Sequence, residues 1–141
     1  MIDQFAIGAV LLVLTTVIHA VCMAIFAIRT ARGVHAERWG FHWVLTTTIL
    51  TAGLVLMMFT ASILEASMYA GTYVKLGAIG SFEPAMYFSI VTFTTLGYGD
   101  VLVAEEWRIL AATEAANGII MFGWTTALIM SFVSKVREQL G

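Results

Sequence analysis

Three long stretches of this chain contain no aspartate, glutamate, lysine or arginine: residues 4–28, 39–64 and 115–134. At about 1.5 Å per residue, a helix over each stretch is long enough to cross a hydrocarbon core of roughly 30 Å. Hydrophobic residues make up 60% of the chain and charged residues 11%, too little charge to cover the surface of a soluble domain. The sequence therefore predicts an all-α membrane protein with three transmembrane helices.

The first stretch has a length and flanks that favour a retained helix over a signal peptide. Asp3 precedes it and no basic residue does, whereas Arg29 and Arg32 follow it. A signal peptide has the opposite arrangement, with a basic start and a small-residue cleavage site. We therefore expect residues 1–29 to remain as an N-terminal transmembrane helix.

The distribution of lysine and arginine predicts the orientation of the chain. Basic residues collect on the cytoplasmic side of a membrane, and here they follow the first and the last apolar stretch: Arg29, Arg32, Arg38, Lys135 and Arg137. Three spans then place the amino terminus outside, the 66–106 connection outside and the carboxyl terminus in the cytoplasm. The expected location is the plasma membrane, with lipid as the surrounding partner.

The segment 30–42 joins the first two spans on the predicted cytoplasmic side. It mixes basic residues and histidines with Val34, Trp39 and Phe41. Two interpretations stay open, a short helix lying on the inner membrane surface and a basic turn. The remainder, 43–141, is predicted to form one unit with an outer helix at 43–68 and an inner helix at 105–138.

A fourth apolar stretch, residues 85–99, is too short to span a membrane. Ser81, Glu83 and Pro84 ahead of it are typical of a helix start, since they supply a cap, a favourable charge and a suitable first-turn residue. Glycines interrupt its far end. We expect a short re-entrant helix at 82–94, followed by extended backbone that protein or water must surround.

The stretch Thr92-Phe93-Thr94-Thr95-Leu96-Gly97-Tyr98-Gly99-Asp100 resembles the signature of the potassium channel family. In such filters, rings of backbone carbonyls replace the hydration shell of the ion. The resemblance implies a selectivity filter at 95–100 in which K⁺ contacts the carbonyls of four residues: Thr95, Leu96, Gly97 and Tyr98. Gly97 and Gly99 would supply the dihedral angles that a Cβ atom disfavours.

The resemblance also assigns supporting positions around the filter. Tyr98 would brace the strand against the pore helix, and Asp100 would lie at the outer mouth. Thr94 and Val91 would support the filter from behind, although some members have a glutamate where Val91 stands. Leu96 stands where many members have valine. One chain supplies one oxygen per ring, so the resemblance implies a homotetramer with K⁺ as the permeant ligand and no other cofactor.

The same resemblance extends to the last apolar stretch as the inner helix of a small bacterial channel. Gly118 and Gly123 are candidate hinges at which this helix would bend, and the alternative is close helix packing. When the inner helix is aligned with the family at the Phe122-Gly123 pair, the resemblance and helical spacing together imply that three residues line the pore: Ile119, Thr126 and Met130.

Two carboxylates interrupt the apolar helices. Glu114 lies about two turns into the inner helix, and we expect it to be buried and to bond Thr92 or Ser89 of the pore helix. The alternative is a solvated position near the outer surface. Glu65 ends the second predicted span and is expected to face water or the outer turret of the channel rather than ions.

Other functions are weaker interpretations of the sequence. A weakly selective cation channel or an accessory subunit would share the same architecture. A haem protein would need His19 and His42 as axial ligands, at different predicted depths. No enzyme constellation or nucleic-acid motif is evident, and a regulatory partner stays open. The N-terminal helix is expected to lie outside the tetramer core, so that deleting residues 1–29 leaves assembly intact.

Overall fold

A computed structural model describes residues 1–30 and 41–138 of the chain. Four helices make up most of this part, and no described residue belongs to a β-sheet. The segment 95–100 after α3, here termed the strand, is extended but lies in no sheet. Their bounds are α1 Ile2–Thr30, α2 Phe41–Lys75, α3 Phe82–Phe93 and α4 Arg108–Glu138, with a 3-10 turn at Glu105–Trp107 just before α4. The all-α prediction is confirmed. The question of an interfacial helix in the connector falls on 31–40, outside the described residues.

Three of these helices are long and apolar enough to cross a membrane. The qualifying segments are Ile2–Arg29, His42–Lys75 and Glu105–Val136. Because α3 has only 12 residues, it is too short to cross at 1.5 Å per residue. The chain is thus a multi-pass membrane protein whose short helix lies between the second and third spans.

The second helix is longer than the sequence predicts, since it continues to Lys75 instead of ending at residue 68. The prediction treated Glu65 as a polar terminus, but the helix beyond it packs against protein, with Tyr69, Ala70 and Tyr73 all fully buried. It ends near Gly77, which adopts φ +66°. There the amide of Ala78 donates to the carbonyl of Tyr73 at 2.9 Å, the usual way in which a glycine ends a helix.

Aromatic contacts hold the short helix α3 against its neighbours. Tyr73 of α2 meets Phe88 edge-on with ring centroids 5.4 Å apart, and Tyr69 lies 6.4 Å from Phe93. Phe93 in turn meets Phe122 of α4 at 5.9 Å. Ser81 lies at the N-cap position of α3 but makes no side-chain cap bond. Packing by α2 and α4, more than capping, therefore fixes α3.

Gly118 allows α4 to touch the end of α3. A Cβ atom at this position would lie 1.8 Å from the carbonyl oxygen of Phe93, whereas one at Gly123 would meet nothing within 4 Å. Close packing of small residues is a common device in membrane helix bundles. Of the two candidate hinge glycines, Gly118 is therefore required for packing, and Gly123 has no such role within one chain.

Helix α1 is packed into the bundle by polar as well as apolar contacts. The Gln4 side-chain oxygen accepts hydrogen bonds from the amides of Ile109 and Leu110 at 3.1 and 3.2 Å. Free amides at the start of a helix need such partners, and here another helix supplies them. Deleting residues 1–29 would remove these contacts within the chain; assembly without them stays a prediction.

We predict that Gly118→Ala lowers the thermal stability of the protein in detergent or nanodiscs. The added methyl collides with the Phe93 backbone, which cannot turn away as a side chain can, and overpacking of this kind costs about 1–3 kcal/mol. Gly123→Ala is the matched control, since it adds the same methyl where no atom lies within 4 Å. Equal melting temperatures for the two variants would contradict the packing role of Gly118.

Candidate selectivity filter and its support

The backbone of the predicted filter alternates in the sign of φ. Thr95, Gly97 and Gly99 have φ of +59°, +58° and +77°, and Leu96 and Tyr98 between them are not among the positive-φ residues. In an ordinary strand, successive carbonyls point to opposite sides. When residues with positive and negative φ alternate along the backbone, consecutive carbonyls can face the same side. The two glycines were predicted to supply such angles, but Thr95 was not.

Thr95 is the strained position of this strand. A β-branched residue rarely adopts a positive φ, and such angles cost on the order of 1–3 kcal/mol where the surroundings enforce them. Nothing in the sequence marks Thr95 for this conformation, because threonine has no preference for it. Strain of this kind is concentrated at functional sites.

Main-chain hydrogen bonds tie the inner end of the strand to α3. The carbonyl of Val91 accepts from the amides of Leu96 and Gly97 at 2.9 and 3.2 Å, and the Thr95 amide donates to Thr92 at 2.9 Å. The Thr94 hydroxyl donates to the Ile90 carbonyl at 2.7 Å and closes the helix end. Val91 and Thr94, both predicted supports, therefore lie where the helix turns into the strand.

A side-chain hydrogen bond ties the outer end of the strand to the same helix. The Tyr87 hydroxyl donates to Asp100 Oδ2 at 2.7 Å. This bond holds the pKa of Asp100 below its usual value, since it stabilises the carboxylate form. Sequence reasoning placed Asp100 at the outer mouth but missed Tyr87, whose only signal was its position on the predicted pore helix.

Two side chains of the strand, those of Leu96 and Tyr98, are largely exposed within one chain. Leu96 is 55% exposed and Tyr98 is 67% exposed, so the Tyr98 ring is not buried against its own pore helix. Between strand and α3 lies a pocket of about 160 Å³ lined by residues of both, among them Tyr87, Val91 and Gly99. The strand therefore stands away from α3 except at its two tethered ends.

Glu114 is fully buried beside the pore helix, but its partner differs from the predicted one. Its Oε2 accepts a hydrogen bond from the Tyr73 hydroxyl of α2 at 2.7 Å. Ser89 lies beside it, out of good hydrogen-bonding geometry, and no bond to Thr92 is made. Glu114 is thus buried beside Ser89 of the pore helix, as predicted, but its hydrogen-bond donor is Tyr73 of α2, which the prediction did not name.

Glu65 is also fully buried, and the expectation that it faces water is wrong. Its Oε1 lies 2.9 Å from Nδ1 of His19, which is itself fully buried. The other ring nitrogen, Nε2, lies 3.0 Å from the Thr125 hydroxyl of α4. Both nitrogens of His19 are therefore engaged, which leaves none for haem iron and disfavours that alternative.

Helix α4 divides into a buried and an exposed face. At 3.6 residues per turn, the predicted pore-lining residues Ile119, Thr126 and Met130 lie within about 40° of one another, and all three are exposed. The buried residues Glu114 and Asn117 lie on the opposite side of the helix. The predicted lining residues thus share a face that α1, α2 and α3 leave uncovered.

The chain matches a family described as "Ion channel" over residues 11–135. The match begins inside α1 and ends near the carboxyl end of α4. It therefore includes α2, α3 and the strand at 95–100. The chain belongs to this family of ion channels.

Curated proteins similar to this chain carry the same region within longer sequences. A calcium-gated potassium channel of Thermoplasma volcanium is 35% identical over 67 residues, which is 47% of this chain and 19% of that protein. Two-pore potassium channel 4 of Arabidopsis thaliana is 30% identical over 99 residues, 67% of this chain and 33% of the relative. A cyclic nucleotide-gated potassium channel of Mesorhizobium japonicum is 38% identical over 61 residues, 42% of this chain and 17% of the relative.

The chain thus spans a third or less of the length of these curated relatives. No solved structure matches it.

We predict that Tyr87→Phe lowers the fraction of time for which the channel conducts, by about 2- to 10-fold. The substitution removes one hydrogen bond at the outer end of the strand, and such bonds contribute about 0.5–1.5 kcal/mol. Recordings from single channels in planar bilayers measure this fraction. The conservative control is Tyr87→Trp, whose ring N–H is also a donor and should retain more of the conducting fraction. A conducting fraction in Tyr87→Phe equal to that of the wild type would show that the Asp100 contact is dispensable.

Proposed function

We propose that this chain is one subunit of a potassium-selective channel that passes K⁺ down its gradient. The observation that supports this most strongly is the alternating backbone of residues 95–99. Such alternation allows consecutive carbonyls to share one direction, and rings of carbonyls are how potassium filters coordinate a dehydrated ion. The ligands would be the carbonyls of Thr95, Leu96, Gly97 and Tyr98, with K⁺ as the only ligand that the function needs.

The names of the similar proteins agree with this proposal. All three are potassium channels by name, and two of the names give different gating ligands, calcium and a cyclic nucleotide. The match covers a third or less of each relative. We therefore assign selectivity to potassium and leave the stimulus unassigned.

A homotetramer is the assembly that the filter requires. A single strand offers one oxygen at each level, too few to replace a hydration shell, and each chain has one such strand. Four copies around one axis would bury the exposed side chains of Leu96 and Tyr98 and would turn the uncovered face of α4 toward the axis. Ile119, Thr126 and Met130 would then line the pore below the filter, with Met130 as an apolar constriction.

The proposed orientation in the plasma membrane places the amino terminus outside and the carboxyl terminus in the cytoplasm. It follows from the basic residues at the cytoplasmic ends, Arg29 and Lys135 among them. The contacts between α1 and α4 agree with the three-span arrangement that this orientation assumes. Gln4 meets Ile109 and His19 meets Thr125, so the two helices run parallel and enter the membrane from the same side.

The test is K⁺ flux through purified protein in liposomes, with Gly97→Ala and Gly99→Ala as the variants. A Cβ atom at either position disfavours the positive φ that the filter needs, so each variant should insert and assemble but lose K⁺ flux by at least 10-fold. Gly71→Ala is the control, because Gly71 lies inside α2 with no positive φ and nothing within 4 Å of its Cβ position. Full flux in either filter variant would contradict the proposal.

A further inference from the structure

Three polar contacts join α1 to α4 at three levels of the bundle. Gln4 accepts from the first amides of α4, and the Asn117 amide nitrogen donates to the Thr15 hydroxyl at 2.9 Å. Further down, His19 Nε2 lies 3.0 Å from the Thr125 hydroxyl. A side-chain hydrogen bond between buried groups is a specific contact, because breaking it leaves a polar atom without a partner.

The lowest of these contacts differs from the others in its position on α4. Gln4 and Thr15 bind α4 before Gly118, in the half that Gly118 packs tightly against Phe93. Thr125 lies beyond Gly123, the glycine whose surroundings are empty. A bend of α4 at Gly123 would leave the upper two contacts in place and displace Thr125 relative to His19.

His19 is itself held by two further groups. Its Nδ1 pairs with Glu65 of α2 at 2.9 Å, and its ring stacks on Trp124 of α4 with centroids 5.4 Å apart and an interplanar angle of 30°. Glu65 of α2, His19 of α1 and Thr125 of α4 thus form a chain of polar contacts across three helices. Phe26 of α1 and Phe132 of α4 continue the contact below it, with ring centroids 5.4 Å apart.

The contact also lies behind the predicted pore face. Thr125 is about 100° around the helix from Thr126, and Thr126 is on the face that we assign to the pore. Movement of the His19 contact would therefore shift the wall of the pore directly. Helix α1 is not one of the segments that we assign to conduction, which are the outer helix, the pore loop and the inner helix. Through His19 it contacts the inner helix and is placed to control this movement.

We propose that His19 is a positioning residue of the pore: fixed by Glu65, it holds the half of α4 beyond Gly123 through Thr125, and release of this contact accompanies the change between conducting and closed states. The inference rests on the proposed function. It gives α1 a part in gating rather than in anchoring alone.

The test is a double-mutant cycle on the open–closed equilibrium, read from single channels in planar bilayers under conditions in which the wild type opens for a measurable fraction of the time. Thr125→Val removes the hydroxyl with little change of shape. His19→Asn retains a side-chain nitrogen near the Nδ1 position, within reach of Glu65, and lacks the group equivalent to Nε2. Each single variant should shift the equilibrium by about tenfold, in the same direction, which corresponds to 1.4 kcal/mol.

The double variant should shift the equilibrium no further than either single variant, since both remove the same contact. Thr125→Ser retains the hydroxyl and should behave like the wild type. Conductance of the open channel and its reversal potential should not change, because the filter is untouched. Melting temperatures of the same samples report any purely structural loss separately.

Two results would overturn the inference. In the first, the open fraction of Thr125→Val equals that of the wild type, whether or not its melting temperature falls. In the second, the effects of the two substitutions on the equilibrium add in full. Thr125→Val alone decides the matter if His19→Asn fails to fold. A wild-type protein that passes no K⁺ would contradict the proposed function instead, so the two failures are distinguishable.

Discussion

A strand whose carbonyls all face one side cannot form the hydrogen bonds of a sheet, so other parts of the molecule must hold it in place. The strand at 95–100 is held at its inner end by the carbonyl of Val91 and at its outer end by the bond between Tyr87 and Asp100. Both tethers come from α3. The position of α3 therefore determines the position of the proposed filter, and the long helices fix α3 through Tyr73, Phe122 and Gly118.

The bundle around α3 contains an unusual amount of buried polarity for a chain with so few charges. Tyr73, Tyr69 and Glu65 are spaced four residues apart on α2 and share one face of that helix. They meet Glu114, Asn117 and His19, all fully or almost fully buried. Such groups are costly in hydrocarbon and are retained where they specify contacts. They give each helix one preferred register against its neighbours, which apolar surfaces alone do not.

Much of this architecture could be predicted from the sequence, and the omissions have physical reasons. Charge-free stretches predicted the three spans, and the re-entrant helix followed from a stretch too short to cross. Long-range pairing could not be predicted: nothing local in the sequence says that His19 meets Glu65, 46 residues away, or that Tyr73 reaches Glu114. The burial of Glu65 has no local signal, because a single carboxylate near the end of an apolar stretch also fits a helix end at the membrane surface. The positive φ of Thr95 has no sequence signal at all.

The function depends on whether the oxygens of this strand select potassium over sodium. The most direct measurement is the reversal potential of single channels with K⁺ on one side of a bilayer and Na⁺ at equal concentration on the other. If the carbonyl rings select dehydrated K⁺ over Na⁺, the current should reverse only at a voltage that strongly opposes K⁺ flow. A reversal potential near zero would show that both ions pass alike, and it would contradict the assignment of residues 95–98 as a potassium filter.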